Sequence, residues 1–123
     1  MIRSFLLVLL VGAALPASAA WTEYGDVDEY TFYVDLNTVL VDGDVRNVWT
    51  MANLKNRNSY GSLSSRSKVE INCKKGMARG LDFASFSQPN LGGEIITRHV
   101  PPAIWDHIPP GTSYADLMRL VCK

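Results

Sequence analysis

Few side chains in this sequence could do chemistry near neutral pH. His99 and His107 are its two histidines, and each stands beside a proline segment, Pro101-Pro102 and Pro109-Pro110. Nucleophilic catalysis needs a Ser or Cys within hydrogen-bond reach of a base that a third group orients. No Gly-x-Ser-x-Gly turn accompanies either histidine. Asp106 and His107 are adjacent, but neighbours in an extended chain point to opposite sides. Both histidines therefore read as surface or packing residues. The carboxylates form two groups, Asp26, Asp28 and Glu29 near the start and Asp42 and Asp44 around Gly43. Paired carboxylates can run acid/base chemistry, so a small hydrolase using Asp26, Asp28 or His107 is one reading. The first group, however, fits a solvated strand entry and the second fits turn chemistry. Asp26 and Asp28 alternate like calcium ligands without the rest of that loop's frame. Gly92-Gly93 precedes a strand pattern rather than a helix, so it is no phosphate cradle. The expectation is a non-enzyme with no catalytic residue, no metal and no cofactor.

Cys73 and Cys122 have a different use. Redox pairs place their cysteines close together and zinc sites need more ligands than two. The compartment decides for a disulfide. Arg3 followed by the apolar run Phe5 to Leu15, then Pro16 and the small residues Ala17-Ser18-Ala19, has the layout of a cleavable secretory signal. The run is too short for a membrane span of ~20 residues. Residues 1–20 are expected to be removed and 21–123 to form one domain with no transmembrane anchor. In an oxidising compartment Cys73 and Cys122 pair by default. A loop of about 50 residues closed in this way stabilises by roughly 4 kcal/mol in the chain-entropy description. The whole chain carries 12 basic and 12 acidic side chains, and Arg3 leaves with the signal. A near-neutral domain offers no electrostatic case for nucleic acid.

The elements that must position these residues follow mostly a period of two. Tyr30, Phe32 and Val34 share one face of a strand, and Asp42-Gly43 marks a tight turn. Val45 to Leu54 reads as a central strand, with Val48, Thr50, Ala52 and Leu54 on one side and Trp49 and Met51 on the other. Residues 55–67, rich in Ser, Asn and Gly, read as a long exposed connection. In Lys68 to Cys73, Val69, Ile71 and Cys73 face inward. After a turn at Lys75-Gly76, Met77 to Phe86 returns, with Gly80 marking a bulge or a close contact. Pro89 to Gly93 turns the chain again, and Glu94 to Arg98 is a short strand. Ser113 with Asp116 three residues on forms a capping box. The stripe Tyr114, Leu117, Met118 and Val121 then defines a C-terminal helix ending at Cys122. The fold class is α+β, an antiparallel sheet of five to six strands with one C-terminal helix tied to it by Cys73–Cys122. Trp49 is expected in the core and Trp105 over the helix. Lys74-Lys75 with nearby Arg79 makes a small basic spot that reads as a solvated hairpin end.

The ordered series Tyr33-Val34-Asp35, Val48-Trp49, Ser67 to Cys73, Gly92-Gly93, Trp105, Ile108 to Ser113 and Leu120-Val121-Cys122 resembles the surface-adhesin protein E family along nearly all of 21–123. The resemblance implies the same sheet, helix and disulfide, export from a Gram-negative-type cell, and adhesive binding of host matrix and plasma proteins. No lipid-acceptor cysteine follows the apolar run, in contrast to the lipid-anchored surface display known in that family. The function expected is an exported, non-catalytic binding module of the envelope, periplasmic or extracellular, with a protein partner met through exposed loops and a sheet edge. A homodimer is open to it. The rival reading is a periplasmic inhibitor or stress factor acting on a partner enzyme.

Overall fold

The computed structural model describes residues 20–123. The expected secretory signal, residues 1–20, lies outside the described residues but for Ala20. Six strands follow one another as antiparallel neighbours: β1 (Trp21–Val27), β2 (Tyr30–Asp42), β3 (Val45–Leu54), β4 (Ser64–Asn72), β5 (Met77–Phe86) and β6 (Ile95–His99). A two-residue strand, β7 (Asp106–His107), pairs with the start of β5 on the same edge as β6. The helix α1 (Ser113–Val121) closes the chain.

Two hairpins turn at a left-handed glycine, Gly43 between β2 and β3 and Gly76 between β4 and β5. Asp42 pairs with Val45 across Gly43, whose φ is +56°, a value that a Cβ disfavours. Gly80 plays both parts open to it. The register slips between Lys68 and Val69 opposite it, and a Cβ there would lie 3.2 Å from Pro101 Cγ.

Pairing places every residue on one face of the sheet or the other. On the helix side lie Val34, Val48, Val69, Ile71 and Ala78, which join Ile108, Ala115, Leu117 and Val121 in one buried cluster. Val34, Val48 and Ile71 have no solvent exposure. Full burial of such a side chain stabilises by ~1.5–3 kcal/mol, so this cluster is what holds a nine-residue helix in place. Covalent attachment reinforces it, since Cys73 at the end of β4 is bonded to Cys122, the residue that ends α1, with Cα atoms 5.7 Å apart. Arg46 adds a polar tie, its Nε donating to Val121 O at 3.1 Å. That cation satisfies a carbonyl left open at the helix C-terminus.

Four expectations need correction here. The connection after β3 is shorter than 55–67: residues 64–67 belong to β4, because Ser64 Oγ donates to Gln88 O at 2.6 Å and accepts from Leu91 N, which lets a polar residue sit fully buried. The remaining loop is tied down, with Arg57 donating to Gly61 O and Ser87 O at 2.7 Å each. The helix cap is Thr112 rather than Ser113, its Oγ1 accepting from Ala115 N at 3.3 Å. In the apolar stripe Ala115 takes the deep position, whereas Tyr114 is two-fifths exposed. Trp49 lies outside the helix-side core, for reasons of register given below.

Tyr24 and Tyr114 meet near the helix start. Burial, then the neighbouring Tyr114 and Asp116, push the Tyr24 hydroxyl well above the usual tyrosine range, and burial raises Tyr114 too. A folded-state pKa above the unfolded one means the folded protein holds the proton more tightly. The stability this contributes is complete below the unfolded value near 10 and is lost as pH rises from there toward the folded value. Urea midpoints are therefore expected to fall as pH rises above about 10, and Tyr24→Phe to flatten that fall. An identical alkaline slope in Tyr24→Phe would contradict this assignment.

Candidate functional site: the sheet face opposite the helix

The helix covers one face of the sheet, and the other carries the aromatic and cationic residues. Strand alternation sets this up. Arg66, Lys68 and Glu70 lie between the inward residues of β4, and Trp49 and Met51 lie between Val48 and Thr50 of β3. The register then aligns Trp21, Asp35, Trp49, Lys68 and Asp82 as one cross-strand row and Tyr33, Met51, Arg66 and Ala84 as the next.

Within these rows the cations rest on rings. Arg66 Cζ is 5.5 Å from the Trp49 ring centroid and 5.8 Å from that of Phe86, and Lys68 Nζ is 5.8 Å from Trp49. Farther along, Arg79 Cζ sits 4.4 Å over Trp105 while its Nε and a terminal nitrogen bond Glu70 Oε1 at 2.8 and 2.7 Å. Each such contact stabilises by ~0.5–2 kcal/mol, increasing with desolvation. The ion pairs among the described residues are Lys55–Asp26, Arg79–Glu70 and Arg119–Asp116. Arg66 and Lys68 thus stand at the centre of the face without an ion pair among the described residues, Lys68 with Asp82 as its cross-strand neighbour and Arg66 with Ala84. A guanidinium held over a ring still has N–H donors to offer a carboxylate.

This arrangement corrects the expectations for both tryptophans. Trp49 is half-buried under Arg66 and Lys68, because β3 has two apolar sides and the single helix covers the other. Trp105 packs on Arg79, which pairs with Glu70 on the face away from α1. The basic spot also divides. Lys74 and Lys75 are exposed at the hairpin end, where their N–H groups donate to Asn72 Oδ1, and Arg79 is committed to Glu70 and Trp105.

The candidate acid/base residues do not converge. Asp26 is on the edge strand β1 and pairs with Lys55 Nζ at 2.7 Å. Asp28 is in the exposed turn between β1 and β2. His107 is in β7 beyond β5, five strand spacings from β1, or about 24 Å along the sheet. His99 and His107 sit opposite Phe83 and Met77, about 20 Å apart along β5. His99 lies against Phe83, ring centroids 5.0 Å apart. A cavity of about 360 Å³ beside β5 is lined in part by Arg79, Asp106, His107 and Tyr114. Among the described residues, no three His, Cys, Asp or Glu side chains group as metal ligands, and no helix is long and apolar enough to cross a membrane.

The feature that sequence reasoning missed is the ladder of cations on rings. The signal was present in the alternation Ser64-Arg66-Lys68-Glu70 beside Trp49, but pairing Trp49 with Lys68 requires the β3–β4 register.

Known proteins share this architecture. Protein E of Haemophilus influenzae, in its crystal form II, superposes with a TM-score of 0.60 at 14% identity, covering 80% of this chain and 91% of that one. Protein E from non-typeable Haemophilus influenzae gives a TM-score of 0.62 at 15% identity, covering 85% and 76%. At such identity the likeness speaks to the fold alone. No curated protein sequence matches significantly. The family described as surface-adhesin protein E matches residues 21–123, the full extent of the sheet, the disulfide and the helix. This chain belongs to the surface-adhesin protein E family.

Proposed function

We propose that the chain is an exported, non-catalytic binding module of the cell envelope that docks a protein partner on the sheet face opposite α1. The observation that carries this is Arg66, held over Trp49 beside Lys68 and forming no ion pair among the described residues, while Lys68 has Asp82 across the strand from it. Stacking prepays the ordering of two long side chains, so a partner's acidic segment gains their hydrogen bonds at a low entropy cost. Trp, Tyr and Arg are also the residues that dominate binding energy at protein interfaces. Family membership supports adhesion as the activity, and the leader pattern supports export. The family resemblance supplies host matrix and plasma proteins as the partner class.

Residues 21–123 should therefore bind at least one member of a panel of immobilised matrix and plasma proteins in surface plasmon resonance. Arg66→Ala and Trp105→Ala should each weaken that binding about tenfold or more, equivalent to ~1.4 kcal/mol or more. Arg119→Ala, on the exposed side of the helix, should leave it unchanged. Equal affinity across all four proteins would refute the assignment of this face.

A further inference from the structure

On the other side of the sheet, beyond the start of the helix, the loop between β3 and β4 and the strands β5 and β6 line an open-sided cavity of about 370 Å³. Its floor is hydroxylic. Ser85 and Thr97 are paired across β5 and β6, and their hydroxyls share one hydrogen bond of 2.7 Å. One of the two donates, so the other retains its proton for an outside acceptor. Ser62 is 2% exposed, lines the same cavity, and its Oγ has no partner among the described residues. A buried hydroxyl left unpaired costs ~1–3 kcal/mol, and its persistence in a loop otherwise fully tied is what singles out the site. Asn58 Oδ1 accepts from Tyr60 N and Ser62 N, which fixes the loop and leaves Nδ2 as a donor at the rim.

The walls are aromatic. Phe83 and His99 lie against each other on one side, and Tyr60, 76% exposed, stands on the loop. No Lys, Arg, Asp or Glu lines the cavity. A phosphate, sulfate or carboxylate would find no fixed cation beside the imidazole of His99, and a wholly apolar ligand would leave the hydroxyls unpaired. The chemistry that fits both floor and walls is a neutral ring with hydroxyls at its rim and C–H groups on its faces.

We infer that this cavity binds a neutral pyranose unit, its C–H face against the aromatic wall and its hydroxyls on Ser62, Ser85 and Thr97. The volume lies within the range of about 300–1,000 Å³ for small-ligand sites. The site is independent of the protein-docking face: Phe83 and Ser85 pair with Ser67 and Ser65, which share the helix side with Val69, whereas Arg66 and Trp49 are on the reverse. Failure of one reading leaves the other intact.

The test is an NMR titration of residues 21–123 with glucose, galactose, mannose and N-acetylglucosamine, each as the free sugar and as its methyl glycoside. A ring of about a dozen non-hydrogen atoms at ordinary ligand efficiency binds near 1 mM. At least one sugar should shift the amides of Tyr60, Ser62, Ser85 and Thr97 with a Kd of that order. A methyl glycoside binding as well as its free sugar marks a glycan terminus as the source; preference for the free sugar marks a small metabolite. Tyr60→Ala, at an exposed position that does not test folding, and Ser62→Ala should each weaken binding about tenfold. Absence of saturable shifts with every sugar, shifts centred elsewhere, or unchanged affinity in both variants would overturn the inference.

Discussion

Replacing Cys73 by Ser is expected to lower the unfolding free energy by about 2–5 kcal/mol, the range for native bridges in small secreted domains. The bridge joins residues 49 apart in sequence and clamps the last turn of α1 to the end of β4. Nine residues are too few to stay helical alone, since isolated helices below ~12–15 residues are marginal in water. Without the bridge the helix is retained by buried Ala115, Leu117 and Val121, by half-buried Met118 and Leu120, and by the Arg46 bond to Val121 O. Small domains keep a margin of about 5–15 kcal/mol, so the loss is a large share of the total. Urea unfolding should show a lower midpoint in Cys73→Ser. The double variant Cys73→Ser with Cys122→Ser should match the single one, because both delete the same bond. A midpoint equal to that of the oxidised parent would contradict the clamp.

The second large effect is expected from Leu117→Ala. Leu117 is 1% exposed, at the centre of the contact between helix and sheet. Truncating a buried leucine costs ~2–5 kcal/mol, the lost transfer energy together with the cavity left behind. Collapse into that cavity is limited, because the neighbouring Val48, Val69 and Ile71 are β-branched residues fixed in paired strands. Arg119→Ala removes an exposed pair with Asp116, three residues before it, and should change stability by no more than ~0.5 kcal/mol. Chemical denaturation of both variants under oxidising conditions makes the comparison. Equal stabilities would place the core elsewhere.

Strands with strict alternation were legible from the sequence. Val45 to Leu54 and Met77 to Phe86 occupy the predicted spans because turn residues bound them and their apolar positions repeat every second residue. The start of β4 was not legible. Ser64 to Ser67 have loop composition, and pairing with β3 and β5 on either side makes a strand of them, with the Ser64 hydroxyl bonded to Gln88 O and Leu91 N. Nor was β7, a two-residue strand fixed by pairing with β5 and by the Ile108 N to Gly76 O bond of 2.9 Å. The disulfide followed from compartment and count, and its partners face the same side of the sheet as the helix. The binding face was half visible. Alternation separated Trp49 from Val48, but a period of two leaves open which strand lies beside which, and the cations over Trp49 come from the neighbour.

The most direct test of the central claim, that the sheet face away from α1 does the binding, is hydroxyl-radical footprinting of residues 21–123 on the matrix or plasma protein they bind most tightly. Oxidation of Trp49 and Trp105 should slow in the complex while Tyr114 and Met118 keep their free rates. Protection of Tyr114 and Met118 with Trp49 and Trp105 unaltered would move the interface to the helix and contradict the account.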